Sequence, residues 1–420
     1  MKLIKNVHTF NFDTIPIDSY WNFSGEDELK IHHIHAYPAK FPAFVTTKAF
    51  KYAKEIGLSL NIICDIFCGC GTTAFEAKRN NINYWGCDIN PVATMIAKTK
   101  SKKFQIKRLL KYYNLIISNY KKKNIINVYN DACERLRYWY SKGQYNKLYY
   151  LRDLILYNTP QDSDYRIFFL CAFSNILKGA SRWLTKSIKP QIDPRKRPVD
   201  TFSLFTNQCN KMFKAIEKLP SFEYSQNDIF TENFIDDSIE FPMTDMIITS
   251  PPYVTSYEYA DLHQLSSLWL NFTDDYRELR EGTIGSLHHV YNFDIEKFKL
   301  NISGFNVVNK LLEREKGKAR SVAKYFLDMQ KVIEKTFLIL NKNGMALFII
   351  GNTEYKNVKI DNVRHLVESM LDVGYNDVSV TKRKISRKIL TPYRDEKGKF
   401  TNDANGRKVY NEEYIVCGRK

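Results

Sequence analysis

The sequence predicts an α/β protein with a mainly parallel, doubly wound sheet and a large helical insertion. Three observations predict it. Strand, glycine-bearing turn, helix, strand and helix follow one another within about 40 residues from Leu60. The alternation then stops for about 120 residues of basic, aromatic, helix-patterned sequence. Short apolar runs bounded by turn signals resume beyond Phe222.

Taken in order, residues 1–30 read as polar and irregular. His32 to Gly57 is a proline-punctuated loop followed by a helix from about Pro42. Leu60 to Phe67 is a β-branched apolar run of buried-strand type, ending at Cys68-Gly69-Cys70-Gly71 before a helix from Thr72. A second strand, from Ile82, ends at Asp88, and Asn90-Pro91 opens the next helix. Residues 102–221 are mainly helical, broken by a proline-containing loop from Ile188 to Asp200. Strands follow at Phe222–Phe230 and Thr244–Ser250, a helix near Ala323–Leu340, and a strand at Met345–Asn352. A helix at Asn362–Val373 and strands near Asp377–Thr381 and Glu413–Cys417 complete the pattern. The expected division is therefore 1–101, with the first strand–turn–helix units, 102–221 (helical basic insertion) and 222–420, with the remaining sheet.

The chain has 420 residues and a formal charge of +17, which argues for a polyanionic partner because Lys and Arg facing phosphates release condensed counterions. A lysine-rich surface from a biased genome would spread that excess evenly. It is not even: Ser101 to Ser225 holds 24 Lys/Arg against 9 Asp/Glu, and Thr381 to Phe400 holds eight against two. The rest of the chain is net acidic. A hydrophobic fraction of 44% excludes wholesale disorder. The start, MKLIKNVHTFNFD, has no apolar signal-peptide core, and no apolar run approaches the ~20 residues that span a bilayer. Eight cysteines without secretory signals read as reduced thiols, so a cytoplasmic protein without membrane association is expected.

Two constellations carry chemistry. The first runs from Asp65 through Phe67, Gly69, Gly71 and Thr72. Glycines at a strand-to-helix turn let backbone approach a ligand, and the helix N-terminus beyond favours electronegative groups. Asp88, ending the next strand, stands where an acid binds ribose hydroxyls, so the pair points to an adenosine cofactor. A phosphate-binding P-loop is disfavoured because Gly-Lys-Ser/Thr is missing, and the spacing departs from G-x-G-x-x-G. The second is Ser250-Pro251-Pro252-Tyr253, directly after an apolar strand. Two prolines hold a rigid, carbonyl-presenting loop. The Ser250 hydroxyl and Pro251 carbonyl can orient an exocyclic amine, and Tyr253 offers an aromatic face to a flipped base. A turn with a packed tyrosine is the plainer alternative.

Together, Phe67-x-Gly69-x-Gly71 and Ser250-Pro-Pro-Tyr resemble the N4-cytosine/N6-adenine DNA amino-methyltransferases. His35-Ala-Tyr-Pro-Ala-Lys-Phe-Pro42 is similar to the N-terminal cofactor motif of permuted members, in which the cofactor motif precedes the catalytic one. The resemblance implies a Rossmann-like class I fold dependent on S-adenosyl-L-methionine (AdoMet), with Lys40, Phe41, Phe67, Gly69 and Gly71 around the methionine part. It also implies Asp88 on the ribose and Asp228 on the adenine amine. Serine at the first tetrad position, Ser250, tilts the target from adenine towards N4 of cytosine. The order of motifs implies a target-recognition region in the insertion, double-stranded DNA as partner, and a separate cognate restriction endonuclease. An N6-adenine enzyme and an RNA amino-methyltransferase remain alternatives. Cys68 and Cys70 depart from the small residues usual beside Gly69. No Pro-Cys pair occurs, as carbon methylation of cytosine through a thiolate would want.

Arg195, Lys196 and Arg197, in the proline-rich loop, and Arg387 and Lys388 are expected DNA contacts, with Arg383, Lys384 and Arg394 as further backbone grips. His32, His33 and His35 read as loop or phosphate contacts. Cys64 and Cys87 read as strand packing, and no metal site is expected. Tyr257, Tyr259, Asp261 and His263 follow the tetrad closely enough to line a base pocket, although helix packing explains them equally.

Overall fold

A computed structural model gives the fold and describes residues 1–38, 40, 42–220, 225–254, 258–287, 291–385, 393–394, 400–401, 403, 407–408 and 411–420. Its strands, in chain order, are β1 Lys2–Leu3, β2 Ile62–Asp65, β3 Asn83–Cys87, β4 Asn227–Phe230, β5 Thr244–Thr249 and β6 Leu340–Ile350. Then come the hairpin β7 Thr353–Tyr355 and β8 Val358–Ile360, and the long strand β9 Asn376–Lys384. A small sheet of β10 Tyr393–Arg394, β11 Phe400–Thr401 and β12 Arg407–Lys408 precedes β13 Glu412–Arg419. The main sheet has eight strands in the order β1-β9-β13-β6-β5-β2-β3-β4. Strands β4, β3, β2, β5 and β6 run parallel, while β13 lies antiparallel between β6 and β9. The chain leaves β2 toward β3 and β4 on one side, then returns to β5 and β6 on the other. That reversal opens a crevice beyond the C-terminal ends of β2 and β5.

The helices are α1 Ala43–Glu55, α2 Thr72–Arg79, α3 Pro91–Ser101, α4 Ile106–Lys121, α5 Glu134–Trp139, α6 Lys142–Asn158, α7 Asp164–Ala180 and α8 Thr201–Glu217. Beyond β5 follow α9 Tyr259–Trp269, α10 Phe293–Glu296, α11 Ile302–Leu312, α12 Lys316–Ile339 and α13 Asn362–Asp372. Local chemistry starts several of them. Asn90 Oδ1 accepts the Val92 N–H at 3.0 Å with Pro91 at the first helical position, and Asp200 caps α8 through the Ser203 N–H at 3.1 Å.

Alternation along the buried strands divides the core in two. Met246, Ile248, Leu347 and Ile349 face α1 and α2, with Val45, Ala49 and Phe50. Ile247, Phe348 and Val416 face α12 and α13, with Val322, Phe326 and Val367. A third core, built on Phe168, Phe169, Phe173 and Trp269, joins α4–α9 to α3.

The differences from the expected elements have physical causes. Residues 1–30 lack period, yet Ile4, Val7, Phe12, Ile15 and Trp21 are buried and β1 pairs with β9, so this segment seals the sheet rather than trailing from it. The helix before β6 starts at Lys316, seven residues earlier than Ala323, and its buried Ala319 and Val322 continue the same face. Residues 222–224 of the strand expected from Phe222 lie outside the described residues. Among the described residues no helix is long and apolar enough to cross a membrane.

Candidate active site

At the crevice lies a cavity of about 410 Å³ that brings the two constellations together. From the first it is lined by Phe67, Gly69, Thr72 and Asp88, with Cys68 and Cys70 beside the glycine; from the second, by Ser250, Pro252 and Tyr253. Lys40 also lines it.

The turn after β2 is shaped by its glycines and by two carboxylates. Gly69 has φ +48° and donates its N–H to Asp88 Oδ2 at 2.9 Å. A β carbon there would first meet the Tyr37 ring, at 3.5 Å, so the glycine keeps open the strip of cavity between turn and tyrosine. Asp88 Oδ1 accepts the Asn90 N–H at 2.9 Å. Burial pushes the Asp88 carboxyl up to about 6, against the pull of those two N–H groups. An acid fixed by main chain at the cavity wall keeps its outer lone pairs for hydroxyls, which suits a ribose.

Asp65 and Gly71, expected at the cofactor, stand behind the cavity wall. Asp65 is buried: Oδ1 accepts Thr249 Oγ1 at 2.7 Å and the Phe67 N–H at 3.2 Å, and Oδ2 accepts Thr73 Oγ1 at 2.9 Å. It ties β2, β5 and α2 together under the turn. Gly71 has φ +74°, and a β carbon would lie 2.6 Å from Ala97 Cβ, so its glycine serves the close approach of turn and α3. Burial pushes the Asp65 carboxyl up to about 7. For a raised acid the sign is fixed: its contribution to stability is complete below the ordinary carboxylate range and is lost as pH rises through about 7. Wild-type thermal stability is therefore expected to fall more steeply between about pH 5 and 8 than that of Asp65→Asn. Parallel melting-temperature profiles for the two proteins would show that Asp65 does not titrate in this range.

Asp228, expected on the adenine amine, stands on β4. It sits in mid-strand on β4, paired with Trp85, and its Oδ2 accepts Gln226 Nε2 at 2.6 Å. It does not line the cavity; Glu232 and Asn233, just past the strand end, do. Pro251 is buried and does not line the cavity. Lys40 donates to Glu28 Oε2 at 3.1 Å and to the His32 carbonyl at 2.8 Å, so its ammonium also braces the wall. Phe41, Arg387, Lys388 and Tyr257 lie outside the described residues.

On the tetrad side, Ser250 Oγ donates to the Ile349 carbonyl at 3.1 Å, which leaves its lone pairs as acceptors. Tyr253 donates its hydroxyl to Glu413 Oε2 at 3.1 Å. Burial, then the Glu413 charge, holds that phenol well above its ordinary pKa. Sequence reasoning missed several lining groups. Tyr37 stacks on His263 with ring centroids 5.0 Å apart. Gly282–Ser286 form a glycine-bearing loop, and Lys318, Ser321 and Tyr325 share one face of α12; both signals were present in the sequence. Tyr259 lines the cavity as well, whereas Asp261 pairs with Arg280 at 2.6 Å.

The basic residues divide. Arg195 and Arg197 are exposed. Lys196 turns inward and donates to the carbonyls of Lys178 and Trp183 at 2.8 and 2.7 Å, closing the C-terminal end of α7. Arg383, expected as a backbone grip, is buried against Glu413. His32 and His35 are buried on Glu76 and Ser174, at 2.8 and 3.0 Å, and His33 pairs with Glu28, so none is a free phosphate contact. Cys64 and Cys87 are buried on their strands.

A five-stranded parallel core, with its last strand antiparallel between the two before it and a glycine turn facing an acid at the switch point, defines a class I AdoMet-dependent methyltransferase. A family model described as DNA methylase, of the N6/N4 type, matches residues 8–99. The Type II methyltransferase M.MvaI of Kocuria varians is 20% identical over 362 residues, 78% of this chain and 78% of that protein. M.AvaI of Nostoc sp. is 30% identical over 149 residues, 31% of each chain, and M.MjaII of Methanocaldococcus jannaschii is 36% identical over 81 residues, 19% of this chain and 15% of that one. Among solved structures, the rRNA methyltransferase aviRa from Streptomyces viridochromogenes aligns over 95% of this chain and 92% of its own. Its TM-score is 0.28 at 9% identity, too loose to bear on function. In these matches the chain is similar to the DNA amino-methyltransferases of the N4-cytosine/N6-adenine family, and the methyltransferase fold implies AdoMet as the methyl donor.

Proposed function

We propose that this protein is a site-specific DNA methyltransferase that methylates N4 of cytosine, as the modification enzyme of a type II restriction system. The observation that carries the reading is the shared cavity: Ser250, Pro252 and Tyr253 face the same space as Phe67, Gly69 and Asp88. Bound there, AdoMet supplies an electrophilic methyl group. The chain's own residues do the rest by positioning. Asp88 holds the ribose end, and the turn at Gly69 faces the methionine end. The Ser250 oxygen and the Pro251 carbonyl accept the target amine's hydrogens and turn its lone pair toward the donor, and Tyr253 stacks on the extruded base. Serine rather than aspartate at position 250 supports cytosine over adenine. Direct amine attack needs no thiolate. Burial holds the Cys68 thiol, at the cavity, well above its ordinary pKa.

The helical unit 102–221, with its excess of Lys and Arg and the exposed Arg195 and Arg197, is proposed as the target-recognition region, with Arg387 and Lys388 as a second phosphate grip. Lys196, turned inward on two carbonyls, takes no part in it. Reversing several exposed charges between residues 101 and 225 is expected to weaken DNA binding. The slope of log affinity against log salt should flatten by about 0.9 for each phosphate no longer neutralised. An unchanged slope would mean that this charge faces only solvent. A cognate endonuclease would act separately on the same sequence.

Methyl transfer from labelled AdoMet tests the reading. Label is expected in unmethylated duplex DNA and not in bulk tRNA or rRNA, while the reverse pattern would favour an RNA amino-methyltransferase.

A further inference from the structure

Arg383 on β9 and Glu413 on β13 face each other across the ladder, 2% and 7% exposed. Arg383 Nε donates to Glu413 Oε1 at 2.6 Å, and its Nη2 pairs with the same oxygen. The other carboxylate oxygen, Oε2, accepts the Tyr253 hydroxyl at 3.1 Å. A buried ion pair is no more stabilising than a well-packed apolar pair of the same size, so fold stability does not account for two charges at this point in the sheet. What they touch does. The edge of the Tyr253 ring lies over Gly351, where a β carbon would stand 3.3 Å from Cε2. The ring is thus slotted between bare main chain at Gly351 and a carboxylate at its hydroxyl.

We infer that Glu413, held by Arg383, is the positioning residue that fixes the ring plane of Tyr253 for stacking on the extruded base. The inference rests on reading Ser250–Tyr253 as the base-binding tetrad. The carboxylate pins the far end of the side chain, which the loop alone does not: residues 250–253 belong to no helix or strand, and two of them are prolines without an N–H. Neither Arg383 nor Glu413 lines the cavity, and the contact that links them to it is the Tyr253 hydroxyl. The phenol stays protonated because of its raised pKa, and it donates to the carboxylate throughout the working range.

The test uses the full-length protein, unmethylated genomic duplex DNA and labelled AdoMet at saturation, with AdoMet Kd measured by calorimetry. Tyr253→Phe removes only the hydroxyl. Arg383→Met with Glu413→Leu replaces the pair by apolar volume. Each is expected to lower kcat about tenfold with AdoMet Kd within about twofold of wild type, and the triple variant is expected to be no slower than either. Losses that multiply to about a hundredfold in the triple variant would overturn the inference, because independent effects multiply. So would a wild-type kcat for Tyr253→Phe, a result that decides the matter even if the apolar pair fails to fold. Tyr253→Ala separates this inference from the reading beneath it. An inactive Tyr253→Ala with a fully active Tyr253→Phe removes only the anchor, whereas a fully active Tyr253→Ala removes the tetrad reading itself.

Discussion

Tyr253→Ala is expected to lower methyl transfer by about 10–100-fold, because base–aromatic stacking is worth roughly 1–3 kcal/mol. The loss should appear both in kcat and in retention of the extruded base. Ser250→Ala should behave differently. Its oxygen is an acceptor whose donor hydrogen is already spent on the Ile349 carbonyl, so removing it deletes an interaction with the target amine and little shape. An amine aligned mainly in the transition state predicts a kcat loss of about tenfold or more with nearly unchanged DNA affinity. Equal losses in DNA affinity and kcat for Ser250→Ala would mean that the serine binds the base in the ground state instead. Neither variant, nor wild type, should give a covalent adduct with 5-fluorocytosine DNA, because no thiolate attacks the ring. A trapped adduct would contradict direct amine attack.

The second large effect separates the two glycines of the cofactor turn. Gly71→Ala sets a methyl group 2.6 Å from Ala97 Cβ at φ +74°, so overlap and left-handed backbone add. A loss of unfolding free energy of about 2–5 kcal/mol is expected. Gly69→Ala meets nothing closer than 3.5 Å and carries only the backbone term, about 1–2 kcal/mol. Its expected signature lies in the ligand: AdoMet affinity at least about tenfold weaker in a protein that still melts cooperatively. Denaturant unfolding of both variants, with and without AdoMet, checks this. A Gly69→Ala protein that binds AdoMet normally would show that the turn is not the cofactor wall, whereas a Gly71→Ala protein as stable as wild type would show that α3 can move away.

What the sequence reveals depends on how local the physics is. Strand β2, its glycine turn, α2 and β3 are contiguous, and apolar runs punctuated by glycine and Asn-Pro are enough to read them. The Ser250–Tyr253 turn is legible for the same reason, because two prolines end the buried strand before it. The sheet order is not local, so nothing in Glu412–Arg419 says that this strand inserts antiparallel between β6 and β9. That pairing buries Arg383 opposite a glutamate 30 residues away and removes it from the surface charge. Lys196 is lost from the same surface because it finds two carbonyls at the end of α7. The position of Asp228 is non-local for a related reason. An acid near a strand end suggests a ligand, but the register with β3 sets it level with Trp85, short of the rim, and leaves Glu232 and Asn233 at the cavity.

The most direct measurement is the identity and position of the methylated base in DNA from cells that express the protein. Nucleoside mass spectrometry with modification-aware sequencing is expected to find N4-methylcytosine at one recurring sequence, and markedly less with Tyr253→Ala. N6-methyladenine as the sole product would overturn the weight placed on Ser250, and unmethylated DNA beside newly methylated RNA would contradict the assignment of DNA as substrate.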